Sequence, residues 1–243
     1  MSTAGRLTGL FPPGMIRTLE LPRLTPEIVE GFAALDDLTG TVSDAMDALG
    51  LSAAVPASLL RPLLPGARLA GPALTLRNEP LAAPLDQVVR SPVRRLGDIE
   101  CHNLALPGDV LVVQGVEGVS SMGGISAAIG RRQGEAGAVV DGAVRDAGHT
   151  RELGYPIWAR SVSPVTGKYR LGTVEINGRV SIAGVPVQAG DLVLADDTGV
   201  CFVPHTRAAE VLERARAIAA RDGLRLERIR AGVPVWELAA DPL

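Results

Sequence analysis

Gly137-Ala-Val-Val-Asp-Gly-Ala-Val-Arg-Asp146 joins a compact apolar run, a turn signal and a charged pair within ten residues. Ala138-Val139-Val140 has the character of a short buried strand, and Asp141-Gly142 is expected to break it. Arg145-Asp146 follow at once, on what should be a helix start. A strand that empties into a glycine turn and then a charged pair is how α/β folds place charge at the mouth of a pocket. The Asp146 carboxylate suits a hard divalent cation. The Arg145 guanidinium suits a carboxylate, which it can grip with two parallel hydrogen bonds. Taken alone, an adjacent Arg and Asp are more often a solvated surface pair.

The sequence just upstream gives the pair a context. Asp109-Val-Leu-Val-Val113 reads as a second buried strand, and Gly115-Val-Glu-Gly-Val-Ser-Ser-Met-Gly-Gly124 reads as a loop. A small-residue helix is predicted from Ile125 to Arg132, stopped by Gly134. Glycines ahead of a helix let backbone N–H groups approach an anion, and the helix N-terminus adds a partial positive charge. Two consecutive strands therefore each end in a feature suited to a small dicarboxylate or keto acid.

Farther out, the chain alternates between helical and strand-like segments. Residues 1–24 read as an irregular N-terminal segment, and 25–243 as a single domain. Thr25-Pro26 is a helix start, with Thr as cap and Pro in the first turn. A short helix is predicted near Ser43 to Leu49, then prolines and one strand around Ala73 to Arg77. Residues 172–203 read as short strands with turns at Asn177-Gly178, Gly184 and Asp197 to Gly199. Thr206 is the predicted cap of a last helix that Gly223 would stop. The resulting class is α/β or α+β.

Composition narrows the function classes. At 243 residues with 47% hydrophobic content, the chain can bury a sizeable core. No run approaches the ~18–20 apolar residues of a membrane span. Net charge is −3 and aromatic content 3%, so neither a basic face nor a base-stacking platform for nucleic acid is evident. Arg6, Pro12 and Pro13 interrupt any signal-peptide pattern, and Cys101 and Cys201 are expected to be reduced and structural. A cytoplasmic location is the expectation. A Gly-x-Gly-x-Gly cofactor loop and a Walker-type phosphate loop are both missing, which argues against a methyltransferase and against nucleotide hydrolysis.

Four segments together resemble the RraA-like family: Pro107 to Val113, the Gly123-Gly124 loop, Gly137 to Asp146, and Gly190-Asp-Leu-Val-Leu-Ala-Asp-Asp-Thr-Gly-Val200. The likeness begins near Thr39-Gly-Thr-Val-Ser-Asp-Ala-Met46, passes through Ala70 to Thr75, and covers most of the chain. That family holds class II 4-hydroxy-4-methyl-2-oxoglutarate and 4-carboxy-4-hydroxy-2-oxoadipate aldolases, and regulators of ribonuclease E activity. The resemblance implies a layered β/β/α, swivelling-domain-like sandwich with helical N- and C-terminal extensions, assembled as a homotrimer or a dimer of trimers.

The activity it implies is retro-aldol cleavage of a 4-hydroxy-2-oxo acid to pyruvate, with oxaloacetate decarboxylation through the same pyruvate enolate. A divalent metal, Mg²⁺ or alternatively Mn²⁺, would act as Lewis acid. Asp146 matches the metal-ligating Asp, and Arg145 matches the residue that contacts substrate and developing charge. Gly123, Gly124, Ile125 and Ser126 match the backbone loop that holds the pyruvyl carboxylate. Lys168 is the only lysine and stands outside these motifs, which argues against Schiff-base chemistry.

Two departures stand out. Gly124 occupies a position often acidic in the aldolases. Asp222 falls where they use a Glu from a neighbouring subunit, one methylene shorter, with Glu227 nearby; either is equally a solvated helix charge. Asp141 is read as a turn organiser or a partner of the metal's waters, and Asp196-Asp197 as structural. Met122 reads as core before substrate contact, His149 as surface before a support behind Asp146, and Lys168 with Arg170 as surface loop before a pocket mouth. The alternative function is a non-catalytic regulator that binds and inhibits an RNA-degrading enzyme.

Overall fold

The computed structural model describes residues 7–239. Helices α1 (Pro26–Ala33) and α2 (Leu38–Ala48) precede strands β1 (Ala54–Pro56), β2 (Arg61–Pro62) and β3 (Leu69–Pro80). Helices α3 (Leu85–Arg90) and α4 (Asp98–Leu104) lead to β4 (Val110–Gln114), β5 (Ser120–Met122) and α5 (Gly124–Gln133). Then come β6 (Gly137–Val144), α6 (Ala147–Leu153) and β7 (Ile157–Val162). Five short strands follow: β8 (Leu171–Ile176), β9 (Val180–Ile182), β10 (Val185–Val187), β11 (Leu192–Ala195) and β12 (Gly199–Val203). Helices α7 (Ala208–Arg230) and α8 (Val235–Leu238) close the described chain.

Two β layers lie back to back. In the first, β3, β4, β6 and β7 run parallel, which requires the helical crossovers the sequence supplies. In the second, β11 pairs antiparallel with β12 and with the start of β3, and β1 pairs with β12. β3 belongs to both: Leu69–Pro72 pair with β11 and Ala73–Arg77 with β4. At that hand-over a Cβ on Gly71 would lie 2.0 Å from the Gly108 carbonyl oxygen, so only glycine lets the two backbones cross. The predicted strand at Ala73–Arg77 is thus the parallel half of a longer element.

Period-two alternation sorts side chains among three cores. Leu111, Val113, Ala138, Val140 and Ile157 face helices α4 to α6. Their neighbours Val110, Val112, Val139 and Trp158 fill the space between the β layers, against Val193 and Phe202. On the far side Leu192, Leu194, Cys201 and Val203 receive Phe32, Val42, Val211 and Ala215 from α1, α2 and α7. The β/β/α sandwich is therefore as expected, and the N- and C-terminal helices form a further layer on the second β layer. Phe11 and Leu21 of the irregular N-terminal segment are buried in the first of these cores, and the calls on residues 1–6 lie outside the described residues.

Several boundaries differ from the sequence reading. Asp141-Gly142 does not end β6. The β6–β7 register shifts between Val140 and Ala143, so the turn signal marks a bulge inside a strand that continues to Val144. A Cβ on Gly142 would lie 3.0 Å from the Val116 backbone nitrogen, so a larger residue at the bulge would crowd that backbone. The loop before α5 contains β5, which pairs with the end of β6. Helix α2 starts at Leu38, earlier than predicted. Thr206 sits in a 3-10 turn (His205–Arg207), so Arg207 rather than Thr206 caps α7. Gly223 does not stop α7: it lacks the left-handed φ of a helix-ending glycine, and the helix continues to Arg230. A mid-helix glycine costs only about 1 kcal/mol, which neighbouring packing absorbs.

Asp196 ties the helical layer to the strands. Its carboxylate accepts from the Thr39 N–H at 2.9 Å, the Thr39 hydroxyl at 2.6 Å and the Thr198 N–H at 2.8 Å. Asp197 accepts from the Gly66 N–H at 2.9 Å, so the structural reading of the pair holds. Burial alone would raise the Asp196 pKa, but the Thr39 and backbone hydrogen bonds outweigh it and hold it below the usual 3.8. The folded state thus prefers the carboxylate. Its contribution is present above pH 3.8 and lost as pH falls through the lower folded value. Asp196→Ala should cost about 1–3 kcal/mol at neutral pH, since buried Thr39 loses its partner. Denaturant unfolding should show the gap to wild type closing in acid below pH 3.8; a constant gap would assign the loss to packing.

Candidate active site

The crossover β5–α5 and the β6–α6 junction meet at the carboxyl ends of parallel strands, the usual place for a ligand in such sheets. Arg145 leaves β6 with its N–H bonded to the Met122 carbonyl at 3.0 Å. Asp146 is the N-cap of α6 and lies in the left-handed region at φ 55°. Its Oδ2 accepts from the Gly124 N–H at 3.0 Å and lies 3.5 Å from Arg145 Nε. The charged pair and the glycine loop, 22 residues apart, are therefore physically joined. Both side chains are nearly half exposed, at 44% and 46%.

The glycines explain this closeness. A Cβ on Gly123 would sit 2.8 Å from Asp146 Oδ2 and 2.9 Å from Arg145 Nε. On Gly124 it would sit 2.7 Å from His149 Cδ2. The exposed His149 ring occupies the space an acidic side chain at 124 would need. Gly123→Ala should displace the Arg145–Asp146 pair and lower kcat of any reaction run there by about tenfold or more, in keeping with the sensitivity of catalysis to small misplacements. Thermal unfolding should change little. Wild-type turnover in this variant would detach the pair from the chemistry.

A cavity of about 580 Å³ opens beside the pair. Of the predicted residues, Gly123, Ile125, Ser126 and Arg145 line it. Gly124 and Asp146 lie at its edge through the contacts just described. Met122 lines it while also packing in the core, so both of its readings hold. Arg94, Arg95 and Lys168 add cationic charge to the wall. Lys168 lies 5.0 Å from the Tyr169 ring centroid, whereas Arg170 instead donates to the Thr166 carbonyl at 3.1 Å. The acids facing this charge are Asp98 and Glu100. Glu100 is 1% exposed, and both its oxygens accept from the Thr8 N–H. The wall favours an anion.

Not every candidate joins the site. Asp141 neither forms a turn nor faces the cavity. It pairs with Arg160 and accepts from the Ala183 N–H at 2.6 Å, tying the bulge to the β9–β10 hairpin. Asp222 lies on α7, a helix of the opposite layer, 3.5 Å from Arg221 Nε and outside the cavity. Within one chain it is not brought to Arg145. Among the described residues no group of three or more His, Cys, Asp or Glu could hold a metal. Asp146 offers a single carboxylate, a donor set that fits only an ion which keeps most of its waters, as Mg²⁺ does.

Sequence reasoning missed a buried polar chain behind the wall. His102 is fully buried, with Nδ1 2.7 Å from Glu135 Oε1 and Nε2 2.7 Å from the Ser126 hydroxyl. The Tyr155 hydroxyl donates to Glu135 Oε2 at 2.6 Å. Burial, then the Glu135 charge, push the Tyr155 phenol well above its ordinary pKa, so it remains a donor. His102 and Ser126 lie on α4 and α5, Glu135 and Tyr155 in the loops before β6 and β7, and no local spacing announced them. Burial likewise raises the thiols of Cys101 and Cys201, the latter to about 12, which fits structural, unreactive cysteines.

A parallel β layer covered by helices, joined to an antiparallel layer, with a cation-lined cavity at the β5–α5 and β6–α6 junctions, defines a mixed α/β sandwich. The chain belongs to the RraA-like family, described as Aldolase/RraA, whose model matches residues 39–202. It is 31% identical over 197 residues to a Halalkalibacterium halodurans protein provisionally named a 4-hydroxy-4-methyl-2-oxoglutarate aldolase, covering 80% of this chain and 86% of that one. It is 27% identical to the protein DlpA of Legionella pneumophila over 90% of this chain, but spans only 33% of that protein's length. Among solved structures it is similar to Streptomyces coelicolor RraAS2, described as an unusual member of the RNase ES inhibitor RraA protein family. That match has a TM-score of 0.69 and 29% identity, and covers 86% of this chain and 99% of that one. Among the described residues no helix is long and apolar enough to cross a membrane.

Proposed function

We propose that this chain is a divalent-metal-dependent lyase that cleaves 4-hydroxy-2-oxo acids to pyruvate and a second oxo acid, and decarboxylates oxaloacetate. The observation that carries this reading is the junction of Arg145, Asp146 and the Gly123-Gly124 loop at the mouth of a cation-lined cavity. Asp146 would hold the metal through one carboxylate and the ion's waters, with Mg²⁺ the best fit and Mn²⁺ a substitute. The ion would supply Lewis acidity toward the keto oxygen and adjacent carboxylate. The guanidinium of Arg145 grips the substrate carboxylate and meets negative charge as the enolate develops. The first-turn N–H groups of α5, at Ile125 and Ser126, point toward the same anion.

The partner is a small keto acid, and the assembly proposed is a homotrimer or a dimer of trimers. The apolar Leu224, Val235 and Trp236, 65–79% exposed around the end of α7, are available for such a contact. The other reading is a regulator of an RNA-degrading enzyme, which the description of the Streptomyces relative favours. That role needs an outer surface and no cavity, whereas the retained Arg145–Asp146 junction favours catalysis. The test is pyruvate release from oxaloacetate and from 4-hydroxy-4-methyl-2-oxoglutarate, coupled to lactate dehydrogenase, with Mg²⁺ or Mn²⁺ and then with EDTA. Chelator-sensitive turnover is the expected result. Folded protein silent on both substrates would overturn the lyase reading in favour of the regulatory one.

A further inference from the structure

The buried chain Tyr155–Glu135–His102–Ser126 has one outlet. His102 and Glu135 have no exposed side-chain surface, and Ser126 alone reaches the cavity wall. With His102 in its Nδ1–H tautomer, that N–H and the Tyr155 hydroxyl both donate to the Glu135 carboxylate. With that tautomer, His102 Nε2 accepts the Ser126 hydroxyl proton. Ser126 therefore turns lone pairs, not a hydrogen, toward the cavity. A hydroxyl backed by an imidazole, itself oriented by a carboxylate, is a device for taking a proton, and the carboxylate stabilises the imidazolium that results.

We propose that Ser126, with His102 and Glu135 behind it, accepts the proton of the substrate's 4-hydroxyl group in the cleavage step; this rests on the lyase reading above. The 4-hydroxyl proton passes to Ser126 Oγ while the serine's own proton passes to His102 Nε2. The C3–C4 bond breaks, C4–O becomes the carbonyl of the second product, and the bond's electron pair becomes the enolate of pyruvate. The imidazolium then returns its proton through Ser126 to enolate C3, giving pyruvate and restoring the chain. No other reactant is consumed. Ser126 is the catalytic residue here, and His102 and Glu135 are positioning residues acting through it. The base would thus lie within one chain, whereas Asp222 stands outside this cavity.

Oxaloacetate decarboxylation breaks a carbon–carbon bond without a hydroxyl to deprotonate, and so separates the two roles. Ser126→Ala should lower kcat for cleavage of 4-hydroxy-4-methyl-2-oxoglutarate by roughly 10²–10³-fold, the usual scale of acid–base assistance, with little change in KM. Its decarboxylation kcat should fall less than about tenfold, because that reaction loads no proton on the chain and its enolate takes one from water. His102→Gln should give the same split. Should that variant fail to fold, Ser126→Ala still decides, because it leaves the His102–Glu135 pair intact. Equal losses in the two reactions, or wild-type cleavage by Ser126→Ala, would overturn the proposal. Wild-type protein that decarboxylates but does not cleave would overturn it while leaving the enolate site standing. Wild-type protein inactive in both would remove the lyase reading itself.

Discussion

Asp146→Asn should leave the protein folded and remove its metal-dependent turnover. The residue has two duties that this substitution separates. Its backbone holds φ 55°, a left-handed conformation that Asn accepts nearly as well as Asp. The amide oxygen of Asn can still accept the Gly124 N–H, so the loop junction survives. What disappears is the negative charge, the only carboxylate among the described residues placed to hold a hard cation at this junction. Loss of a Lewis acid worth several kcal/mol predicts a fall in kcat of about 10²–10³-fold or more, with thermal unfolding close to wild type. Asp146→Ala should lose activity to the same degree and some stability besides, because it forfeits the hydrogen bond and strains the cap. Chelator-sensitive activity at the wild-type level in Asp146→Asn would remove the metal assignment.

Arg145→Ala should lower kcat/KM for both substrates by about 10²–10³-fold, the loss that follows removal of one well-placed donor to developing negative charge. The effect should divide between the constants. KM rises because the ground-state carboxylate loses its grip, and kcat falls because enolate charge goes unmet. Stability should barely change, since the side chain is 44% exposed and its only ion-pair partner among the described residues is Asp146. Arg145→Lys should recover little, because an ammonium keeps the charge but not the planar fork. Steady-state kinetics with oxaloacetate would check both variants. Unchanged constants in Arg145→Ala would move the site elsewhere in the molecule.

The two variants rest on residues that were readable as a pair, and the reason is local. Arg145 and Asp146 are adjacent, and the turn signal before them is also local. The position of that signal was readable but not its meaning: Asp141-Gly142 looks the same as a strand end or as a bulge, and the partner strand β7 decides between them. Gly223 presents the same ambiguity. A glycine stops a helix only where nothing continues to pack, and α7 is anchored by Val211, Leu212, Ala215 and Ile218 one to three turns earlier. Nothing in the local sequence marks His102. Its partners Ser126 and Glu135 lie 24 and 33 residues away, and only folding turns those separations into 2.7 Å contacts.

By itself the sequence determined an α/β or α+β class, the buried strands at Asp109 to Val113 and Ala138 to Val140, the small-residue helix after Gly123-Gly124, and the charged pair at Arg145-Asp146. Each rests on interactions that reach only a few residues: hydrophobic periodicity, turn chemistry, and glycine ahead of a helix. The tertiary structure alone decided that β3 serves both sheets, that Asp196 clamps Thr39 across 157 residues, that Arg94, Arg95 and Lys168 face one cavity, and that Ser126 fronts a buried chain. These features come from which faces are buried together, and burial is a property of the whole packed chain that no short segment carries.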